Sequence, residues 1–198
     1  MSIKKQFKMH KTYKCLSQQE FMHGKYKLIA IRNEDKYAIM KWRNEQIDIL
    51  RQKELLTKEK QNFYFRNVVD KLFDQEKPDQ LLFSFLENDR LIGYGGLVHI
   101  DWESRNAEIS FLTATERNAD DKLFSKDFSN YLHIILSISF YYLKFIKVHT
   151  TFYEISQRHL YKSIVKEFNF IREAKLKNHI LINGKITNVL IYSCFGKN

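Results

Sequence analysis

The chain has 198 residues, 44% of them hydrophobic and 15% aromatic, with a formal net charge of +10. That length suits one domain with a substantial core, and the composition excludes a disordered or fibrous chain. A single proline, Pro78, and six glycines leave little material for long linkers.

Cys15 and Cys194 stand near opposite ends without CxxC spacing, so both read as reduced thiols of a cytoplasmic protein, with neither a zinc site nor a disulfide framework expected. Met1 to Lys14 is basic through Lys4, Lys5, Lys8, Lys11 and Lys14, but no apolar run follows it, so no signal peptide is expected. The longest apolar-rich stretch, Tyr131 to Phe145, is too short for a membrane span. The excess positive charge favours an anionic partner. No nucleic-acid motif accompanies it, so nucleic acid is disfavoured as that partner.

In chain order, residues 1–24 read as a basic N-terminal extension and residues 25–198 as the domain. Tyr26 to Ile31 is β-rich and reads as the first strand. Asn33 is placed to cap a helix running to about Asn44, with Tyr37, Met40 and Trp42 along or near one side. Thr57 reads as the cap of a second helix, whose apolar face is Tyr64, Val68 and Leu72 widened by Phe65 and Val69, and which ends before Pro78. Leu81 to Leu86 is a short strand, and Asn88-Asp89 a tight turn into the next.

The stretch from Leu91 to Ala114 is the most informative. Its first strand, Leu91 to Ile100, contains Gly93, Gly95 and Gly96, which in a strand interior mark a bulge or a close approach of another backbone or a ligand. Its second, Ala107 to Thr113, carries one ionisable residue, Glu108, in an apolar run, and a carboxylate there needs a partner or a task. A helix follows from Lys126 to about Leu143, then a strand from Ile146 to Tyr153, parallel to its predecessor if the helix is a crossover. Ser156 is placed to cap a helix with Leu160, Ile164, Val165 and Phe168 inward, ended by a left-handed Asn169. Asn183-Gly184 joins a last hairpin, Ala174 to Ile182 and Lys185 to Ser193. Such an order predicts an α/β (α+β) domain, a mixed and mostly antiparallel sheet of six to seven strands with helices on both faces.

The glycine-containing strand, the segment AEISFLT after it, the early Trp42-Arg43-Asn44 and the Asn169-Phe170 pair in place of Gly-Phe together resemble the GNAT superfamily of N-acetyltransferases, in the branch that includes ribosomal-protein and amino-sugar acetyltransferases. The resemblance covers roughly Tyr26 to Cys194. It implies acetyl-CoA as co-substrate and a small-molecule amine as acceptor, and is compatible with a homodimer; His159 and His179 have no partner at metal-ligand spacing, so no metal is expected, and no membrane association is expected either. It further implies that the strand holding Ser110, Phe111, Leu112 and Thr113 splays from its parallel neighbour to pair with the pantetheine arm, with amides near Phe111 and Leu112 polarising the thioester. Trp42, Arg43 and Tyr94 would line the acceptor pocket. Glu108 would be the base, with His99 as a rival that titrates near neutral pH.

Two motifs depart from the family. The glycine-rich phosphate turn appears as Arg117-Asn118-Ala119-Asp120-Asp121-Lys122, so Arg117, Asn118, Lys122 and Lys126 would have to hold the pyrophosphate by side chains. The tyrosine that reprotonates the leaving thiolate falls at Val165, leaving Tyr161 or Tyr153 as substitutes. The favoured reading is a bacterial enzyme acetylating a nucleotide-linked amino sugar. A protein N-terminus is the alternative acceptor, and a non-catalytic GNAT-fold binding module the alternative of another class.

Overall fold

The computed structural model describes residues 11–196, the Gln157 side chain excepted; Lys4, Lys5 and Lys8 of the basic extension lie outside the described residues. Strands β1 (Glu20–His23) and β2 (Tyr26–Ala30) lead through a 3-10 turn (Asn33–Asp35) into α1 (Lys36–Glu45). Helix α2 (Lys58–Tyr64) continues through a π-helical turn (Phe65–Val69) into α3 (Asp70–Leu72). Then come β3 (Leu81–Glu87), β4 (Arg90–Asp101), β5 (Asn106–Thr113), the short α4 (Thr115–Asn118), α5 (Asp121–Ser137) with a π-helical turn (Ile138–Tyr142), β6 (Lys147–Tyr153), α6 (His159–Glu167), β7 (Ile171–Ile182) and β8 (Lys185–Phe195).

These strands form one sheet in the order β1-β2-β3-β4-β5-β6-β8-β7, antiparallel throughout except between β5 and β6. The sheet has eight strands, against the six to seven expected. The extra one is β1, four residues inside the stretch read as an extension, with only Phe21 buried. That is too short for alternation to register. The same stretch is tied down elsewhere: the buried Tyr13 hydroxyl donates to the Leu82 carbonyl at 2.8 Å and accepts from the Leu82 N–H at 2.9 Å.

The turns behave as their residues dictate. Asn88 and Asp89 have φ of 47° and 61°, Asn183 and Gly184 48° and 74°, and Asn169 closes α6 at 61°. Positive φ at two successive residues gives the hairpin twist that matches the strands. Thr57 caps α2 by accepting from the Lys60 N–H at 3.2 Å. Asn33 does not cap; its neighbour Asp35 is drawn to Arg32 at 2.6 and 2.8 Å and to the Ser84 hydroxyl at 2.6 Å, and the chain enters α1 through a 3-10 turn. Helix α1 buries Ile39 and Trp42 and leaves Tyr37 exposed, and α6 starts through a 3-10 turn at Ser156 without a side-chain cap. Along α2 the π-helical turn makes Phe65, Val69 and Leu72 the buried face, while Tyr64 and Val68 are half-buried.

Two of the glycines in β4 answer to neighbouring backbone. A Cβ on Gly96 would stand 1.9 Å from the Leu81 carbonyl oxygen, and one on Gly95 2.2 Å from that of Ser110 and 2.6 Å from the Tyr131 hydroxyl. The Tyr131 hydroxyl uses the space at Gly95 to donate to the Ser110 carbonyl at 2.7 Å. Above it Phe111 stacks on Phe128 at 5.0 Å and against Tyr131 at 4.6 Å, anchoring β5 to α5. Each such fully buried ring contributes about 2–3 kcal/mol. Among the described residues no helix is long and apolar enough to cross a membrane.

Candidate active site

The site is made by the one parallel pairing in the sheet. β5 and β6 are in register at only three positions, Asn106 with Lys147, Ala107 with Val148, and Glu108 with His149. Beyond them the strands part. The Arg105 carbonyl accepts from Ile146 on the β6 side, and the Ala114 N–H donates to Ile92 on the β4 side. Strand alternation therefore turns the backbone groups of Ile109 and Phe111 into the gap, and those of Ser110 and Leu112 toward β4. A V-shaped slot with unpaired backbone on one wall results. Its lining includes Arg43, Glu108, Ser110, Phe111, Tyr153 and Tyr161.

Side chains divide by face. Phe111 and Phe152 point toward α5 and α6, where the Tyr161 ring lies 5.4 Å from Phe124, 4.4 Å from Phe128 and 5.3 Å from Phe152. The Arg158 guanidinium sits 4.4 Å from the Tyr161 ring centre. Burial raises the Tyr161 pKa against the opposing pull of Arg158, so the hydroxyl is protonated at neutral pH. Val165 is fully buried and offers no proton donor.

Glu108 faces the other side and is 8% exposed. Both of its oxygens are held by Arg51, at 2.7 Å from Nη2 and 3.3 Å from Nη1. His99 Nε2 is 3.8 Å from Glu108 Oε2, across a bulge where β4 and β5 lose register and His99 itself has φ of 51°. The His99 side chain is otherwise exposed. Arg51, 57 positions away in a segment without regular structure, is the partner that the sequence did not reveal.

Arg43 is the hinge between this slot and a neighbouring cavity lined by Tyr64, Gln80 and Tyr94. Its Nη1 donates to the Tyr94 hydroxyl at 2.6 Å and its Nε to Gln52 Oε1 at 2.9 Å. No carboxylate pairs with it among the described residues. Trp42 is packed into the core and lines neither cavity. Thr113 turns its hydroxyl inward to the Ile92 carbonyl at 2.9 Å, and the Leu112 side chain is buried.

The far end of the slot differs from the rest. Helix α5 begins at Asp121, five residues before the expected start, because Asp120 caps it by accepting from the Lys122 N–H at 2.9 Å and the Leu123 N–H at 3.0 Å. Asp121 pairs with His159 at 3.3 Å. Arg117 donates to Asp127 at 2.5 and 2.6 Å and reaches Glu87 at 3.0 Å, so its guanidinium is committed to the fully buried Asp127. Lys122 and Lys126 are exposed and Asn118 is half-buried.

The sequence matches the family model for the acetyltransferase (GNAT) domain over residues 28–190. The chain belongs to the GNAT acetyltransferase family. It is an N-acetyltransferase that takes acetyl from acetyl-CoA. No curated protein sequence matches the chain. Among solved structures it is similar to a spermidine N-acetyltransferase from Vibrio cholerae in complex with CoA and spermine, with a TM-score of 0.74 at 18% identity, covering 87% of this chain and 96% of the other. It is also similar to a ribosomal-protein-S5-alanine acetyltransferase from Vibrio fischeri, with a TM-score of 0.68 at 13% identity over 91% and 98% of the two chains. At these identities the likeness is one of fold.

The slot fits the family's co-substrate along its length, since the free backbone of Ile109 and Phe111 is what an amide-bearing arm pairs with. The helix start fits less well, because Asp120 already occupies the amides that would hold phosphate. A phosphate there is left with the side chains of Lys122, Lys126 and Asn118. Among the described residues no three His, Cys, Asp or Glu are grouped to hold a metal.

Proposed function

We propose that the enzyme acetylates the primary amine of a small anionic acceptor, with a nucleotide-linked amino sugar as the favoured class. The observation that carries this reading is Arg43, a half-buried guanidinium facing two cavities with, among the described residues, only the neutral Gln52 and Tyr94 as hydrogen-bond partners. A buried guanidinium without a counter-ion favours a carboxylate or phosphate over a cation. Arg51 and Arg158 line the same slot against the single carboxylate of Glu108. A polyamine, the acceptor named for the Vibrio cholerae neighbour, would meet repulsion here.

Acetyl-CoA supplies the activated acetyl group. Glu108 takes the proton of the acceptor ammonium, the Phe111 N–H donates to the carbonyl oxygen as charge grows on it, and the Tyr161 hydroxyl returns a proton to the leaving sulfur. His99, exposed and 3.8 Å from Glu108, passes the proton to water. We place the enzyme in the cytoplasm, in line with its reduced thiols. One neighbour of this fold is dodecameric, and self-association of this chain fits that pattern.

The test is thiol release from acetyl-CoA with a UDP-linked amino sugar, a peptide with a free N-terminus, and spermidine. The expected order puts the nucleotide sugar first and spermidine last. Preference for spermidine would overturn the reading; preference for the peptide would move it to the protein N-terminal class.

A further inference from the structure

A second, larger cavity opens off the slot between the segment 47–53 and the β7–β8 hairpin. The two share Leu50, Arg51, Thr151 and Tyr153. At this junction Tyr153 is 6% exposed, and its buried hydroxyl interacts with Arg51 but makes no close hydrogen bond among the described residues. A buried hydroxyl left unpaired is unfavourable by about 1–3 kcal/mol unless something occupies the space beside it. Arg51 is the opposite case. Its side chain is 54% exposed, whereas the Glu108 it pairs with is 11% exposed, so the guanidinium can swing away and the carboxylate cannot. Arg51 is the exposed member of a pair whose carboxylate is buried, so a competing anion that forms its own fork with the guanidinium can draw it away. Lys53 adds a second positive charge to the cavity wall, against Asp48 as its one carboxylate.

We propose that Arg51 and Tyr153 form the subsite that receives the anionic group of the acceptor, and that Arg51, in taking that group, leaves Glu108 free to accept the proton of the amine. This rests on the reading above, that the acceptor is an anionic amine. It makes the base available only when the correct acceptor is seated. Glu108 is faced by His99 from β4, His149 from β6 and Arg51 from the 50–56 segment. Of the three, Arg51 carries a fixed positive charge on a side chain that is 54% exposed. The anion gains a charge-assisted fork from Arg51 and a hydrogen bond from the Tyr153 hydroxyl, which burial keeps protonated.

A matched pair of acceptors separates the terms. Glucosamine 6-phosphate and glucosamine present the same amine with and without an anion. Binding to the full-length enzyme by calorimetry, and rates by thiol release, are compared for wild type, Arg51→Ala, Arg51→Lys and Tyr153→Phe. The phosphorylated sugar is expected to bind wild type at least about tenfold tighter than glucosamine. Arg51→Ala removes that difference, Arg51→Lys restores part of it, and Tyr153→Phe weakens the phosphorylated sugar severalfold. With glucosamine, kcat rises in Arg51→Ala because Glu108 is no longer covered. Equal affinity of the two sugars for wild type, or an equal loss of both in Arg51→Ala, would overturn the subsite; a lower kcat of that variant with glucosamine would overturn the release of Glu108. Failure of the underlying reading looks different: the phosphorylated sugar binds as expected and no acetyl appears on its amine.

Discussion

The Asp120 carboxylate accepts the backbone N–H of Lys122 at 2.9 Å, closing the start of α5 with a side chain of its own. In a glycine-rich turn the same amide is free for phosphate, and the helix dipole adds to its attraction. Here a negative charge is already in place.

Asp120→Ala tests this directly. Loss of the cap costs about 1 kcal/mol of stability, yet two amides become free and one anion is removed. Calorimetry is expected to show coenzyme A binding tighter, by a factor on the order of ten. Weaker binding in this variant would mean that Asp120 positions the cofactor instead of excluding it.

Arg117 makes the opposite prediction. Although it occupies the motif position of a phosphate ligand, its guanidinium neutralises Asp127, which is fully buried and also touches the Tyr26 hydroxyl at 3.2 Å. Arg117→Ala leaves that charge unpaired, and breaking a buried pair in this way costs about 3–5 kcal/mol. The expected result is a fall in Tm on the order of 10 °C. Removing both partners, as Arg117→Met with Asp127→Leu, recovers most of it. An unchanged Tm with lost coenzyme A affinity would return Arg117 to the phosphate site.

Much of this fold was legible because the signals are local. Asn88-Asp89, Asn169 and Asn183-Gly184 announce positive φ, and all of them have it. Glu108 stands out as the one charge in an apolar strand. What remained hidden depends on distance or on competition. The Glu108 partner is 57 positions away. Asp120 competes with phosphate for the same amides, and nothing in a linear motif ranks the two. Gly95 and Gly96 pointed to a close approach, but that Gly95 also admits Tyr131, 36 positions on, follows only from how α5 crosses the sheet.

Stability is expected to depend on pH through His149. Burial depresses its pKa below the usual 6.5, opposed in part by Glu108. Below 6.5 the unfolded chain takes up a proton that the folded chain refuses, so stability falls as pH drops from 6.5 through the folded value. His133 is depressed for the same reason, burial, and acts in the same direction. The carboxylates lose their contribution in a lower window. Glu87 and Glu173, held down by hydrogen bonds to Lys25 and Lys147, stabilise above the usual 4.5 and stop doing so as pH falls through their folded values. Tm measured between pH 7 and 5 should therefore decline, and His149→Gln should flatten the slope. An identical slope in the variant would place the effect elsewhere.

Glu108→Gln tests the assignment of the base most directly, with acetyl-CoA affinity by calorimetry and turnover by thiol release measured on one preparation. The amide keeps the shape and loses the proton acceptor. The expected result is unchanged affinity for acetyl-CoA with kcat lower by about 10²- to 10⁴-fold. Full turnover in the variant would contradict Glu108 as the base, and absence of acetyl-CoA binding at millimolar concentration in wild type would contradict the assignment of the slot itself.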